Sequence, residues 1–224
     1  MDSVYEFRRY TLKPGRRDEL IDLFDREFVE TQDAVGAHVV AQYRDLGDPD
    51  QFVWIRGFAD MATRKAALTT FYGGPAWKEH GAAASATMID ASNVWLLRPV
   101  VAPRLEPGSR DRADKPFVTA LLFAPNGAPT DAALDRLADD VAASLVRVGL
   151  PPVALWATLS AVNDYPALPV RDVRGVVALL QHADAEQQAV AGEVVSRVGW
   201  EAPEPELLRL APTSRARAFL GHEA

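Results

Sequence analysis

The sequence predicts an α+β fold of two tandem βαββαβ units, each an antiparallel sheet with its helices on one face. Three observations predict it. Over residues 3–98, β-rich runs and helical periodicity alternate in the order strand, helix, strand, strand, helix, strand. A stretch dense in proline, glycine and charge, PRLEPGSRDRADK at 103–115, then interrupts the pattern. From Phe117 the same order resumes. The expected division is a ferredoxin-like unit over 1–102, a linker over 103–115 and a second ferredoxin-like unit over 116–224.

In the first unit, residues 3–12 are rich in β-formers and Lys13-Pro14-Gly15 stops them. Leu20, Leu23, Phe24 and Phe28 then fall on one helical face until Gly36. His38–Leu46 and Gln51–Phe58 read as strands joined by a turn at Gly47-Asp48-Pro49-Asp50. Asp60 is placed to cap a helix over 61–72, Gly73-Gly74-Pro75 breaks it, a short helix follows to Ala84, and Val94–Arg98 is the last strand. In the second unit, Phe117–Phe123 is a strand and Thr130 caps a helix carrying Leu134, Leu137, Val141, Leu145 and Val148. Strands follow at Val153–Leu159 and Val173–Leu180. Asp184 with Gln187 forms a possible capping box, and Leu207–Leu210 closes the unit.

Composition excludes several function classes. With 48% hydrophobic and 25% charged residues the chain is an ordinary folded protein. It has no cysteine, which removes disulfides, thiolate catalysis and cysteine-based metal sites. The net charge of −7 is spread over both halves, so no basic face exists for nucleic acid. No basic head with an apolar run opens the sequence, and no segment nears about 18 unbroken apolar residues. The expected compartment is the cytoplasm, with no membrane partner.

Both faces of the first sheet are marked for enclosure. Tyr5, Phe7, Val39, Ala41, Val53 and Ile55 form an apolar set, expected beneath the helices. The other set, Glu6, Arg8, Tyr10, His38, Val40, Gln42, Trp54, Arg56 and Phe58, mixes large aromatics with charge. It is expected to face a half-wet lumen between the two sheets.

VYEFRRYTLKPG at 4–15, FYGGPAWKEH at 71–80 with ATMIDASNVWLLRP at 86–99, NDYPALPVR at 163–171 and LLRLAPTSRARAF at 207–219 together resemble the bacterial NIPSNAP proteins. The resemblance implies membership of the dimeric α/β-barrel superfamily, in which two ferredoxin-like sheets pack face to face around a central cavity. A chain with two units could close that barrel within one polypeptide, and closure between two chains stays open as the alternative. The superfamily also holds cofactor-independent monooxygenases, haem-degrading enzymes, dye-decolourising peroxidases and small decarboxylases or isomerases. The likeness therefore locates a site in the lumen and names no reaction.

The candidate catalytic residues are His80, Arg8 and Arg56. His80 would act as a general base near neutral pH or, in a haem-binding reading, as an axial ligand. Trp77 shares its helical face, and is either a wall of the site or a plug in the bend after Gly73-Gly74-Pro75. Arg8 and Arg56 with Glu6 would hold a carboxylate or enolate, or form a purely structural ion pair. Tyr10 would donate to a substrate oxygen, whereas Tyr43 has the opposite strand parity. Trp54 and Phe58 would give a stacking wall.

His38 adds a second imidazole on the lumen side, but no spacing resembles a metal motif, so no metal and no bound cofactor are expected. His182 and His222 are expected in solvent. NDYPALPVR either covers a barrel end or merely connects strands.

Two kinds of function remain open. In one, the chain binds a small flat organic substrate and acts by proton transfer or cofactor-independent oxygenation, with Glu6, Tyr10, His38, Trp54, Phe58 and Trp77 as the substrate-binding set. In the other it is a non-catalytic ligand-binding or scaffold protein; a haem-binding barrel is a third reading. Exposed strand edges, and the dimeric habit that the resemblance implies, point to a homodimer, with a self-closed monomer as the rival.

Overall fold

The computed structural model of the chain describes residues 2–111, 113–200 and 203–220. The first unit contains strands β1 (Val4–Leu12), β2 (His38–Asp45), β3 (Gln51–Phe58) and β4 (Met88–Val101), with helices α1 (Arg17–Leu23), α2 (Val29–Asp33), α3 (Met61–Gly73) and α4 (Pro75–Thr87). The second contains β5 (Phe117–Phe123), β6 (Ala154–Thr158), β7 (Val176–His182) and β8 (Glu206–Pro212), with α5 (Asp131–Arg147) and α6 (Ala185–Val195). All neighbouring strands are antiparallel, and they close a barrel in the order β1-β3-β2-β8-β5-β7-β6-β4. The two sheets join through β2 with β8 and β4 with β6, so one polypeptide completes the ring. Every strand has two neighbours. A free sheet edge, one of the two grounds for expecting a homodimer, is thus absent among the described residues.

The helix caps are those the sequence announces. The Asp60 carboxylate accepts from the Thr63 amide at 2.7 Å, the Thr130 hydroxyl from Ala133 at 3.3 Å, and the Asp184 carboxylate from Gln187 at 2.8 Å. Gly74 is extended between α3 and α4, where a Cβ would lie 2.8 Å from the Thr70 carbonyl, so glycine is required for so tight a break. Pro75 occupies the start of α4, where its missing N–H costs nothing. The break therefore shortens the connection between two full-length helices. β4 begins at Met88 and is longer than the expected Val94–Arg98, because its first residues pair with Thr11 and Leu12 at the end of β1.

Residues 103–115 do not behave as a loose tether. Leu105 pairs with Phe219, the Glu106 amide donates to Ala218 at 3.0 Å, and Arg110 reaches Asp33 at 2.6 Å in the first unit.

The barrel interior is the main correction. Tyr5, Phe7, Tyr43, Val53, Ile55, Trp95, Leu97, Trp156 and smaller residues from all eight strands pack into one buried cluster that fills the lumen. The expected chamber between the sheets is solid. Glu6, Arg8, Tyr10, Trp54, Arg56 and Phe58 lie on the opposite parity, on the outer face of the first sheet beneath its helices. The physical reason lies in the two environments. A lumen enclosed by eight strands has no route to water and takes the apolar set. The sheet–helix layer, covered by separate helices, tolerates charge wherever charges pair. His38 does keep the lumen parity, since a bulge between Val39 and Ala41 reverses the alternation before Gln42, but it lies exposed at a barrel mouth, bonded to Asp2 at 2.9 Å.

Candidate functional site

The sheltered charges of the first unit converge on Glu6. One of its carboxylate oxygens, Oε2, accepts from Arg8 Nη1 at 2.6 Å and Arg56 Nε at 2.7 Å; the other, Oε1, accepts from Arg64 Nε at 2.8 Å. All four side chains are fully buried. Register makes this possible: Glu6 faces Arg56 across β1 and β3, Arg8 is two residues along the same face, and Arg64 comes down from the first turn of α3. Gln32 on α2 accepts from Arg56 at 2.9 Å, and Arg64 also bonds Asn163 and Asp164. Burial alone would push the Glu6 carboxyl up. The guanidinium groups of Arg56, Arg8 and Arg64 outweigh it and hold it well below the usual carboxylate range. Three guanidinium groups face two carboxylates, Glu6 and Asp164, so one positive charge is left over.

Beside this nest lies a cavity of about 360 Å³. Its floor is Arg8, Tyr10 and Trp54; Phe24, Phe28 and Gln32 form one wall; Phe71, Tyr72 and Trp77 form another; Ala167, Leu168 and Pro169 close it from the second unit. Between α1 and α2 the chain makes a π turn over Phe24–Phe28. In a regular α-helix residues four apart drift by about 40° around the axis. The wider turn sweeps less than a full circle in four residues, which keeps Leu20, Phe24, Phe28 and Gln32 in one row along the cavity. Trp77 lies flat over Gly81, where a Cβ would come within 2.6 Å of the indole, and it meets Tyr72 and Phe28 at ring distances of 4.6 and 5.6 Å.

Two buried donors at the cavity wall have no acceptor among the described residues: Arg8 Nη2 and Trp54 Nε1. Arg8 also donates from Nε to the Tyr10 hydroxyl at 3.0 Å, which leaves the phenol's own proton free to donate. Burial pushes the Tyr10 phenol up, so it stays protonated at neutral pH. The Arg8 guanidinium stands 5.4 Å from the Tyr10 ring and 5.3 Å from that of Trp54, and Arg56 lies 5.1 Å from Trp54 and 5.5 Å from Phe58. At the mouth, Asp90 is held below its ordinary range by hydrogen bonds from Ser92 and remains a carboxylate.

The structure thus brings together Glu6, Arg8, Arg56, Tyr10, Trp54 and Trp77 from the expected set, with Phe58 behind Arg56 rather than on the cavity wall. It does not bring in the histidines. His80 points away from the cavity toward Glu27 at 3.4 Å, and His38 is at the barrel mouth. His182, expected in solvent, is buried beside Thr119 at 3.0 Å, and burial lowers its pKa. His222 lies outside the described residues. The NDYPALPVR loop covers this cavity and not a barrel end.

Sequence reasoning missed Arg64, Gln32 and Asp164. The one signal for Gln32 was a polar residue continuing the four-residue spacing of Leu20, Phe24 and Phe28. Arg64 carried a signal as the first-turn cation four residues after the Asp60 cap.

The second unit shows what these positions look like without the charges. Register sets Val4, Glu6, Arg8 and Tyr10 against Phe58, Arg56, Trp54 and Phe52, and sets Phe117, Thr119, Leu121 and Phe123 against His182, Leu180, Ala178 and Val176. Thr119, Leu121, Leu180 and Gln188 therefore stand where Glu6, Arg8, Arg56 and Arg64 stand, with Gln188 four residues after its cap as Arg64 is. There the layer beneath α5 and α6 is built on an apolar cluster, with the buried Thr119, His182 and Gln188 as neutral polar groups that are hydrogen-bonded within the protein.

Residues 5–103 match the family model described as NIPSNAP. The match spans the first unit. No curated protein matches the sequence. Two solved structures, each provisionally named a monooxygenase, match nearly end to end. That from Lactobacillus acidophilus NCFM is 12% identical over 99% of this chain and 100% of its own, with a TM-score of 0.60. That from Fusobacterium nucleatum is 8% identical over 99% of each, with a TM-score of 0.63. At these identities the likeness is one of fold, the α/β barrel. An uncharacterised NIPSNAP-like domain protein from Burkholderia xenovorans is 25% identical over 47% of this chain and 93% of its own, with a TM-score of 0.42. Among the described residues, no helix is long and apolar enough to cross a membrane.

Proposed function

We propose that the first unit binds a small, flat, largely apolar molecule bearing one anionic oxygen group, a carboxylate or an enolate, in the cavity between its sheet and its helices. The observation that carries this reading is the pair of unsatisfied buried donors on the cavity wall, Arg8 Nη2 and Trp54 Nε1. Leaving a buried donor without an acceptor costs about 1–3 kcal/mol. An anionic oxygen would take up both and the surplus positive charge, while the rings of Trp54, Phe28, Phe71 and Trp77 supply faces for an aromatic body. At about 360 Å³ the cavity is at the small end of ligand sites, fitting one or two rings.

The arrangement favours binding and charge stabilisation over base catalysis. No histidine or lysine lines the cavity among the described residues, and Asp90 is too acidic to serve as a strong base. A substrate oxygenated here without a cofactor would therefore have to be ionised before it docks, with Arg8 and Tyr10 stabilising the anion. The haem reading loses its proposed ligand, since His80 faces Glu27. We keep the cytoplasm as the expected compartment.

Isothermal titration with benzoate, 2-naphthoate and their neutral amides tests the reading. The acids should bind at least about tenfold more tightly than the amides, the value of one charge-assisted hydrogen bond. Equal affinity of acid and amide, or no binding of either acid, would overturn it.

A further inference from the structure

The fourth wall of the cavity belongs to the other half of the chain. Ala167, Leu168 and Pro169 lie in the connection between β6 and β7, which crosses over to the first unit and covers the space beneath its helices. Tyr165, Leu168 and Val170 rest against the buried cluster around Phe58, Leu68 and Leu96, and the polar and ring contacts that fix the segment over the cavity are few. Asp164 and Asn163 bond Arg64, and Tyr165 stacks on Tyr72 at 6.0 Å with the rings inclined by only 25°. Inside the loop, Asn163 donates to the Leu168 carbonyl at 2.8 Å and the Leu168 amide donates to Tyr165 at 3.1 Å, which keeps the turn rigid as a unit. Its outer surface is open to solvent: Ala161, Val162, Pro166 and Ala167 are exposed, Val162 at 88%, and the next firm anchor is the Arg171 amide, which donates to the Val94 carbonyl of β4 at 2.8 Å. Between Ala161 and Val170 no backbone hydrogen bond ties the loop to the helices that it covers among the described residues. A stiff turn with an exposed outer surface, held to the helices it covers only by side chains, describes a part that moves as a body between its anchors at β6 and Arg171.

The geometry points to the segment Asn163–Pro169 as a gate over the cavity, latched by the Arg64–Asp164 ion pair and the Tyr72–Tyr165 stack, through which the ligand enters and leaves. The latch also reaches the binding site physically. Asp164 holds Arg64, Arg64 holds Glu6, and Glu6 holds Arg8, so the gate is fixed to the same buried network that receives the anion. This regulation concerns the site proposed above, but its test needs no knowledge of the ligand.

The probe is acrylamide, a small neutral quencher of tryptophan fluorescence. In a Trp77→Phe, Trp200→Phe background the remaining tryptophans are Trp54 on the cavity floor and Trp95 and Trp156 in the filled lumen, so quenching reports access to Trp54. Asp164→Asn and Tyr165→Ala, each weakening one fastening, should raise the quenching constant at least threefold, and together more than either alone, with the far-ultraviolet circular dichroism unchanged. In the unmutated protein, amides of Asn163–Leu168 should exchange with deuterium at least tenfold faster than those of α3. Unchanged quenching in both folded variants, or loop amides as protected as the helix, would overturn the gate even where benzoate binds. Failure of benzoate to bind would sink the anion reading while the quenching result still decides the gate.

Discussion

Replacing Glu6 by glutamine removes the one carboxylate shared by three buried guanidinium groups, and the structure sets both the size and the pH dependence of the loss. Arg8 and Arg56 then have no carboxylate within reach, while Arg64 keeps Asp164. Breaking a buried pair costs about 3–5 kcal/mol, because the abandoned charge stays out of water. Glutamine still offers one acceptor oxygen, which places the expected loss near the lower end, about 3 kcal/mol. For a chain of this size that is a fall in Tm of roughly 6–12 °C.

The pH dependence follows from the direction of the Glu6 shift. Its carboxyl is held below the ordinary value of about 4.5, so the stability it contributes is fully present above that value and is lost as pH falls below it, toward the folded-state pKa. In that range the native protein should lose up to about 1.4 kcal/mol per pH unit more than Glu6→Gln does. Urea and thermal unfolding followed by circular dichroism at pH 7 and pH 3.5 measure both quantities. A Tm within about 2 °C of the parent, with the same pH slope, would refute the account of Glu6 as the hub.

Further outcomes follow from the same geometry. The fourfold change Glu6→Thr, Arg8→Leu, Arg56→Leu and Arg64→Gln copies the second unit's residues into the first, and should leave unfolding stability within about 2 kcal/mol of the parent, since buried ion clusters are seldom more stabilising than apolar replacements. The same variant should lose benzoate binding by calorimetry. Gly81→Ala pushes a methyl group into the Trp77 indole and should cost about 1–3 kcal/mol in urea unfolding, together with a shift in tryptophan emission. His80→Ala touches only a partly exposed contact with Glu27 and should change stability by less than about 1 kcal/mol, with benzoate affinity unaltered.

Most of the fold was legible because its signals are local. The caps at Asp60, Thr130 and Asp184, the break at Gly73-Gly74-Pro75 and the alternation in β1 and β3 each act within a few residues, and each forms as read. Which face of β1 points inward was not legible, because both faces are enclosed and a two-residue period only separates them into sets. The polar set announces that it needs partners without saying on which side they lie. Those partners, Arg64 from α3, Gln32 from α2 and Asp164 from the far half, are joined to Glu6 and Arg56 only by tertiary folding. His38 parts from that set for a different reason: the bulge between Val39 and Ala41 adds one residue, so His38 stays on the lumen side while Gln42 turns to the side of Glu6 and Trp54.

The mismatch between the two units sets a stoichiometry. A ring assembled from two identical half-length chains would by symmetry possess two equal chambers. Here the ring is a single polypeptide, and the positions equivalent to Glu6, Arg8, Arg56 and Arg64 carry the uncharged Thr119, Leu121, Leu180 and Gln188. One chain should therefore take up one equivalent of ligand, and the silent half serves as the anvil against which the working half is held.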